Sequence, residues 1–253
     1  MAYAEAFPAF YPLEARRPFG HDEAVRRMAK VARFSAGCRL LHLGCGTGGT
    51  TVMLAHETGA TVFAVDTDAA AMDALQERVR TSNLSERVHP RLVDYKKLPF
   101  PDAEFEGIVL DGRLPMRLSA AVTQLRKLLS PKGRLCAVYP VKVGREYVQT
   151  VVGFWERRLG EALQMPREAL QLMESAGYEP HSVETLPDVE LAEFYRSVEA
   201  HSSSMPEGSL AKDLKEELAL HGAQSGGASV TFAQLIGRRK EPGEKPPPSR
   251  SDG

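Results

Sequence analysis

The most informative stretch of the chain covers residues 40–49, which read Leu-Leu-His-Leu-Gly-Cys-Gly-Thr-Gly-Gly. Its apolar beginning predicts a buried strand that breaks at Gly44. Glycines at positions 44, 46 and 48 allow a tight turn and a close approach to a ligand, because they lack a Cβ atom. The segment from Thr50 to Gly59 predicts a helix whose N-terminus faces that ligand. A strand, a glycine loop and a helix in this order open a nucleotide-binding α/β domain.

The glycine loop alone leaves the ligand class open. Gly44, Gly46 and Gly49 also match the G-x-G-x-x-G pattern of dinucleotide-binding proteins, which has low specificity when it stands alone. A second apolar strand, Thr61 to Val65, leads into Asp66, whose carboxylate can accept hydrogen bonds from ribose hydroxyls. Several nucleotide ligands contain a ribose, so this acid does not separate them either.

Residues further along the chain distinguish between the classes of nucleotide-binding protein. The Leu43–Gly48 stretch resembles the first motif of class I S-adenosylmethionine-dependent methyltransferases, and Val65-Asp66-Thr67-Asp68 resembles their acidic second motif. Val93-Asp94-Tyr95 falls where a polar residue of this family usually meets adenine. Residues 98–111 match the run into strand four, and residues 129–135 resemble the turn into strand five. Such an ordered series is more specific than one glycine motif, and a nicotinamide enzyme predicts none of the later elements.

The resemblance implies a fold, a cofactor and a reaction. The implied fold is a doubly wound, seven-stranded Rossmann-like sheet whose last strand is antiparallel and lies between strands five and six, with added helical cap elements. The implied reaction moves a methyl group from S-adenosylmethionine to a small-molecule acceptor and releases S-adenosylhomocysteine. The cofactor-binding residues implied by the motifs are Gly44, Cys45, Gly46, Thr47, Gly48, Asp66, Thr67, Asp94, Tyr95 and Asp111.

Several of these residues follow predicted strands. Strands are predicted at Arg87–Val93 and Phe105–Leu110, so that Asp94 and Asp111 each end a strand. In an open parallel sheet, ligands bind outside the carboxyl ends of the strands, so these two acids are expected beside Gly44 and Asp66. Asp111 can equally be a surface acid.

Helix signals predict the remaining framework. Asp68 is predicted to cap a helix rather than to bind the cofactor, because Asp66 already ends the strand before it. Further predictions are helices at Asp22–Phe34, Pro115–Leu129 and 148–163, and strands at Arg134–Tyr139 and Val230–Ile236.

The two ends of the chain differ from its middle. Residues 1–21 are rich in aromatics and prolines, and they form either an arm packed on the body or a flap over cofactor and acceptor. Residues 22–238 are predicted to form the methyltransferase domain, with helical insertions near 143–165 and 188–222. Residues 239–253 contain almost no apolar side chain, so we predict a disordered tail.

No catalytic cluster is evident, which suits a direct displacement that needs chiefly alignment of the reactants. His21 is the candidate proton acceptor, and capping of the following helix is its alternative role. Further residues expected near the acceptor are Tyr11, Arg113, Tyr139, Tyr147 and Tyr195. The chain lacks the Asn/Asp-Pro-Pro-Tyr signature of methyltransferases that act on base or glutamine nitrogens, which favours other acceptors.

Composition narrows the setting of the protein. A formal net charge of −1 argues against a strongly basic nucleic-acid surface, and no apolar run reaches membrane-spanning length. Three cysteines without C-x-x-C spacing indicate neither a zinc site nor a disulfide framework. The simplest interpretation is a cytoplasmic protein without a metal, whose oligomeric state stays open. Two alternatives to the methyltransferase are a non-catalytic S-adenosylmethionine-binding module that acts through a protein partner and a nicotinamide-dependent oxidoreductase.

Overall fold

Seven strands form one sheet in a computed structural model that describes residues 17–111, 117–204, 208–223, 228–241 and 243. The strands are β1 Arg39–Leu43, β2 Thr61–Asp66, β3 Val88–Leu92, β4 Phe105–Asp111, β5 Leu129–Lys142, β6 Tyr178–Thr185 and β7 Val230–Arg239. The helices are α1 Asp22–Val31, α2 Gly49–Thr58, α3 Ala69–Thr81, α4 Leu118–Gln124, α5 Gln149–Leu159, α6 Pro166–Ser175, α7 Asp188–Ala200 and α8 Ser209–Gly222.

The strand order is β3-β2-β1-β4-β5-β7-β6. Strands β1 to β5 pair in parallel, whereas β7 runs antiparallel between β5 and β6. This order and the single reversed strand confirm the doubly wound sheet expected from the sequence. The order also turns back on itself at β1 and β4, the position where open α/β sheets bind ligands.

Side chains of alternate residues along the strands bury two different layers. Leu41 and Leu43 join the core cluster that contains side chains of α4 and α6. Leu40 and Val62 join the cluster formed with α1, α2 and α3 on the opposite face. Each fully buried leucine contributes about 1.5–3 kcal/mol, so both faces of the central strands stabilise the sheet.

A third apolar cluster, here called the cap cluster, joins α5, α7 and α8 to the sheet. Its members include Phe19, Val138, Trp155, Phe194, Leu214 and Phe232. The rings of Trp155 and Phe194 both meet Phe232 of β7 edge to face, with centroids 5.8 and 5.3 Å apart. These helices fall within the two ranges expected to carry insertions, while the division into domains stays a prediction.

Two predicted helices end earlier than expected. α1 ends at Val31 because Arg33 adopts a left-handed φ of 55°, and the Phe34 N–H then bonds back to the Ala29 carbonyl. The helix predicted to reach residue 163 ends at Leu159, because Gly160 is left-handed as well. Apolar spacing continues past this point, since Leu163 is buried in the loop that follows.

The helix predicted at Pro115–Leu129 is also shorter. α4 begins at Leu118, and the chain tightens into a 3₁₀ turn over Leu125–Leu128. Residues 112–116 lie outside the described ranges.

Strand pairing extends two predicted strands. β5 continues to Lys142 because β7 pairs with it from Arg134 onward. β7 itself continues to Arg239, which pairs with Tyr178 of β6. The predicted tail therefore starts inside the last strand, while residues 242 and 244–253 lie outside the described ranges.

Candidate functional site

The carboxyl ends of four parallel strands meet at one edge of the sheet, here called the strand-end edge. Leu43 of β1 pairs with Val65 of β2 and with Leu110 of β4. Asp66 of β2 pairs with Leu92 of β3. The loop that starts at Gly44 therefore lies beside the residues that follow β2, β3 and β4.

The glycine loop is built against the end of β2. The N–H groups of Gly44 and Cys45 both donate to the Val65 carbonyl, at 3.0 and 3.2 Å. Gly48 has a left-handed φ of 84°, and a Cβ atom there would come within 2.1 Å of Leu75 Cδ1. A side chain at this position is therefore excluded both by backbone conformation and by space.

The loop leads directly into α2, whose first residue is Gly49. A Cβ atom built at Gly49 would meet nothing within 4 Å, so the space beside the first residue of α2 is open. Free N–H groups at a helix N-terminus attract negatively polarised ligand groups. The loop and the first turn of α2 thus provide a ligand cradle of the type expected from the sequence.

Asp66 connects the loop to the next strand. Its Oδ2 accepts the Gly46 N–H at 2.9 Å, and its Oδ1 accepts the N–H groups of Thr67 at 2.8 Å and Asp68 at 3.2 Å. The residue is only 3% exposed. A buried carboxylate that accepts several N–H bonds is strongly held in place. Asp66 therefore shapes the loop, in addition to the ribose contact that the sequence predicts.

The other residues of the two motifs lie around this tether. Cys45 is buried and fills a slot beneath the loop, and the Thr47 carbonyl accepts a bond from Arg78 Nε at 3.0 Å. Asp68 Oδ1 accepts the Ala71 N–H at 3.1 Å, which confirms its predicted capping of α3. Thr67 is half-buried between the two acids.

The residues after β3 occupy different environments. The Val93 N–H donates to the Asp66 carbonyl at 3.0 Å, which holds this segment beside β2. Asp94 is exposed, whereas Tyr95 is 8% exposed and belongs to the core cluster that contains α4. The accessible group at this place is therefore the Asp94 side chain. Asp111 pairs with Val138 through its backbone, and its side chain lies outside the described part of the structure.

His21 caps α1. Its Nδ1 accepts the Ala24 N–H at 3.2 Å, and its Nε2 lies 2.9 Å from Glu190 Oε2 on α7. These contacts assign the proton to Nε2, which donates to the carboxylate. Both ring nitrogens are thus engaged, so the geometry favours the capping role over that of a proton acceptor.

The tyrosines expected near an acceptor have structural contacts. Tyr139 is buried in the core cluster with α4, and Tyr147 donates to Met165 Sδ at 3.4 Å. Tyr195 lies in the cap cluster and donates to Glu217 Oε1 at 2.9 Å. Tyr11 and Arg113 lie outside the described ranges.

A buried ion pair in the cap was not predicted from the sequence. The Arg158 and Glu217 side chains are 4% and 2% exposed and form a salt bridge between α5 and α8. The ring of His221 stacks on Tyr195 with centroids 3.9 Å apart, and burial lowers the pKa of this histidine. The sequence does hold one indication that Glu217 is buried. It follows Leu214 by three residues and therefore lies on the apolar side of α8.

Two features are absent from the residues that the structure describes. No cluster of three or more histidine, cysteine or acidic side chains could hold a metal ion. No described helix has the length and apolar character needed to cross a bilayer.

Comparison with known proteins finds similar sequences and similar structures. A sequence profile described as a methyltransferase domain matches residues 40–133. Methyltransferase GfsG of Streptomyces halstedii is 33% identical over 103 residues, which cover 40% of this chain and 37% of that protein. The ubiquinone/menaquinone biosynthesis C-methyltransferase UbiE of Geobacter sulfurreducens is 28% identical over 137 residues, covering 52% of this chain and 54% of that protein. The chain thus spans less than two thirds of the length of these curated relatives.

The same fold occurs among solved structures. An S-adenosylmethionine-dependent methyltransferase from Thiobacillus denitrificans, in complex with S-adenosyl-L-homocysteine, matches with a TM-score of 0.70 at 16% identity. The match covers 90% of this chain and 94% of that one. At this identity the likeness concerns the fold, and it includes the added helices as well as the sheet.

Proposed function

We propose that the chain, whose residues 40–133 match a methyltransferase domain, is a class I S-adenosylmethionine-dependent methyltransferase that transfers a methyl group from S-adenosylmethionine to a small molecule. The observation that carries this proposal is the tether between Asp66 and the glycine loop, where the Gly46 N–H donates to Asp66 Oδ2. It brings the two motifs of the family together at the strand-end edge, beside the first residue of α2.

The cofactor residues follow from this arrangement. In the proposal, the amino-acid end of the cofactor lies along Gly44–Gly48, and its ribose hydroxyls bond to Asp66. Exposed Asp94 accepts a hydrogen bond from the adenine amine, while buried Tyr95 supports that segment from below. Thr67 and Asp111 flank the adenine. A complex with S-adenosylhomocysteine that places the adenine away from residue 94 would contradict this assignment.

The chemistry requires little from the protein beyond alignment. S-adenosylmethionine supplies, when bound, a methyl group on a positively charged sulfur. The acceptor nucleophile forms a bond to the methyl carbon as the carbon–sulfur bond breaks, and a proton released by the acceptor passes to solvent. Holding the two reactants in line can supply about 7–11 kcal/mol of the barrier. We therefore assign the protein a positioning role and assign His21 no proton transfer.

The proposed acceptor is a small molecule that enters beneath the cap. Two observations support this class: α5, α7 and α8 stand over the sheet as a separate apolar cluster, and UbiE, by its name, is a C-methyltransferase of quinone biosynthesis.

Release of S-adenosylhomocysteine, measured across pools of cellular metabolites, tests the proposal. The wild-type chain should release it with one pool or a few pools, and Asp66→Ala should not. Binding of the cofactor without turnover in any pool would instead favour the non-catalytic module. Absence of binding would overturn the proposal.

Three parts of the proposal rest on the sequence. The chain is proposed to be cytoplasmic, which cell fractionation tests, and to act without nucleic acid.

The N-terminal flap is proposed to close over the acceptor, although residues 1–16 lie outside the described ranges. Deletion of residues 1–16 keeps Phe19 in the cap cluster and should abolish transfer while cofactor binding is only weakened. Transfer at the full-length rate would contradict the flap.

A further inference from the structure

A glutamate from the cap closes the start of the helix that follows β4. Glu161 Oε1 accepts the Leu118 N–H at 2.7 Å, and Glu161 Oε2 accepts the Ser119 hydroxyl at 2.8 Å. The residue that precedes α4 is Arg117, whose side chain has no acceptor atom for capping. The first turn of α4 is therefore capped from outside, by a residue 43 positions away in sequence.

The loop that carries Glu161 is itself held in place. The left-handed Gly160 ends α5 just before it. Glu156 Oε1 then accepts the Leu163 N–H at 3.1 Å, and the Gln164 carbonyl accepts the Lys142 N–H at 3.0 Å. Both ends of the loop are thus fixed to structured elements, so Glu161 is a rigid contact rather than an occasional one.

α4 lies against the cofactor side of the strand-end edge. Leu118 is buried in the same core cluster as Leu43, which precedes the glycine loop, and Tyr95, which follows Asp94. Tyr95 also lines a cavity together with Thr123 of α4, so the two segments are neighbours. Movement of α4 would therefore reach the segment that carries Asp94 in the proposed cofactor site.

We propose that Glu161 is a positioning residue, which fixes α4 to the cap and thereby keeps the Asp94 segment in the arrangement that binds the cofactor. This proposal rests on the proposed function, because it deepens the role of that same site. Glu161 does not contact the reacting atoms. Its role is to connect the cap helix α5 with the core helix α4.

The chain offers a matched control. Glu168 Oε2 accepts the Met165 N–H at 2.7 Å and thus closes the start of α6 in the same way. Loss of either helix-terminal contact should lower the stability of the fold by a similar amount. Glu161 contacts α4, whereas Glu168 closes its own helix and lies 3.9 Å from Lys142 Nζ at the end of β5 without contacting α4. The two variants therefore separate positioning of α4 from simple capping.

Titration calorimetry with S-adenosylhomocysteine provides the first measurement. Glu161→Ala should weaken binding about fivefold, which corresponds to about one molecule in five keeping the competent arrangement. Glu161→Gln should bind as the wild type does, because its carbonyl can accept the Leu118 N–H and its amide can donate to the Ser119 oxygen. Glu168→Ala should also leave the affinity unchanged. Equal affinities for Glu161→Ala and Glu168→Ala would overturn the proposal and leave the proposed function standing.

Amide hydrogen exchange gives a readout that needs no cofactor. Glu161→Ala should speed exchange at Leu118 and also at Tyr95–Lys97, whereas Glu168→Ala should change neither. Faster exchange confined to the first turn of α4 would reduce Glu161 to a local cap and overturn the proposal. Failure of the wild-type chain to bind S-adenosylhomocysteine would overturn the proposed function instead, and the exchange data would then decide the role of Glu161.

Discussion

Replacement of Asp66 should separate its two roles, which are to hold the glycine loop and to bind ribose. Asp66→Asn keeps one carbonyl oxygen for the N–H groups of Thr67 and Asp68, but its amide group faces the Gly46 N–H as a second donor. The variant therefore loses the hydrogen bond from the Gly46 N–H to the charged Asp66 carboxylate. Its unfolding free energy should fall by about 1.5–3 kcal/mol.

The effect on cofactor binding should be larger. Asp66→Ala removes two hydrogen bonds from ribose to a charged acceptor, worth about 3 kcal/mol together, and should weaken binding about a hundredfold or more. Urea unfolding and calorimetry with S-adenosylhomocysteine measure the two effects on the same samples. Asp68→Ala is the control, because loss of its cap on α3 should cost about 1 kcal/mol and leave the affinity unchanged.

Two results would refute this reasoning. If Asp66→Asn unfolds at the urea concentration of the wild type, the bond to the Gly46 N–H does not hold the loop. If Asp66→Ala binds S-adenosylhomocysteine with unchanged affinity, the ribose does not bond to this carboxylate. A parallel loss of affinity in Asp68→Ala would show that general destabilisation, rather than ribose contact, causes the effect.

Other parts of the structure give three further predictions. Gly48→Ala should lower the unfolding free energy by at least about 1 kcal/mol, because of its φ of 84° and the leucine side chain beside it. Gly49→Ala should leave the unfolding free energy unchanged, and urea unfolding of both variants measures the difference. Burial lowers the pKa of His221 from 6.5, so the unfolded chain takes up the proton first and stability decreases as the pH falls through 6.5. In His221→Phe, the free energy of unfolding should fall less steeply below this pH. Arg158→Met should cost about 3–5 kcal/mol by leaving Glu217 buried without its cation, and adding Glu217→Leu should restore most of the loss in thermal unfolding.

The sequence by itself determined the framework of the fold. Apolar runs that end in Gly44 or Asp66 can only be strands that enter turns, and the order of the motifs implied the sheet that the structure confirms. The capping role of Asp68 was also predictable, because an N-cap depends on residues within one helical turn. The cofactor residues themselves stay a prediction.

Tertiary structure decided where elements end and which distant side chains meet. α1 stops at Val31 because a non-glycine residue, Arg33, is held in a left-handed conformation, which no local preference predicts. The contact of His21 with Glu190 and that of Arg158 with Glu217 join residues far apart in sequence. Such pairs depend on how helices pack across the sheet, and a single sequence carries no record of this packing. The cap is therefore a unit only in the tertiary structure, where its helices pack together against β5 and β7.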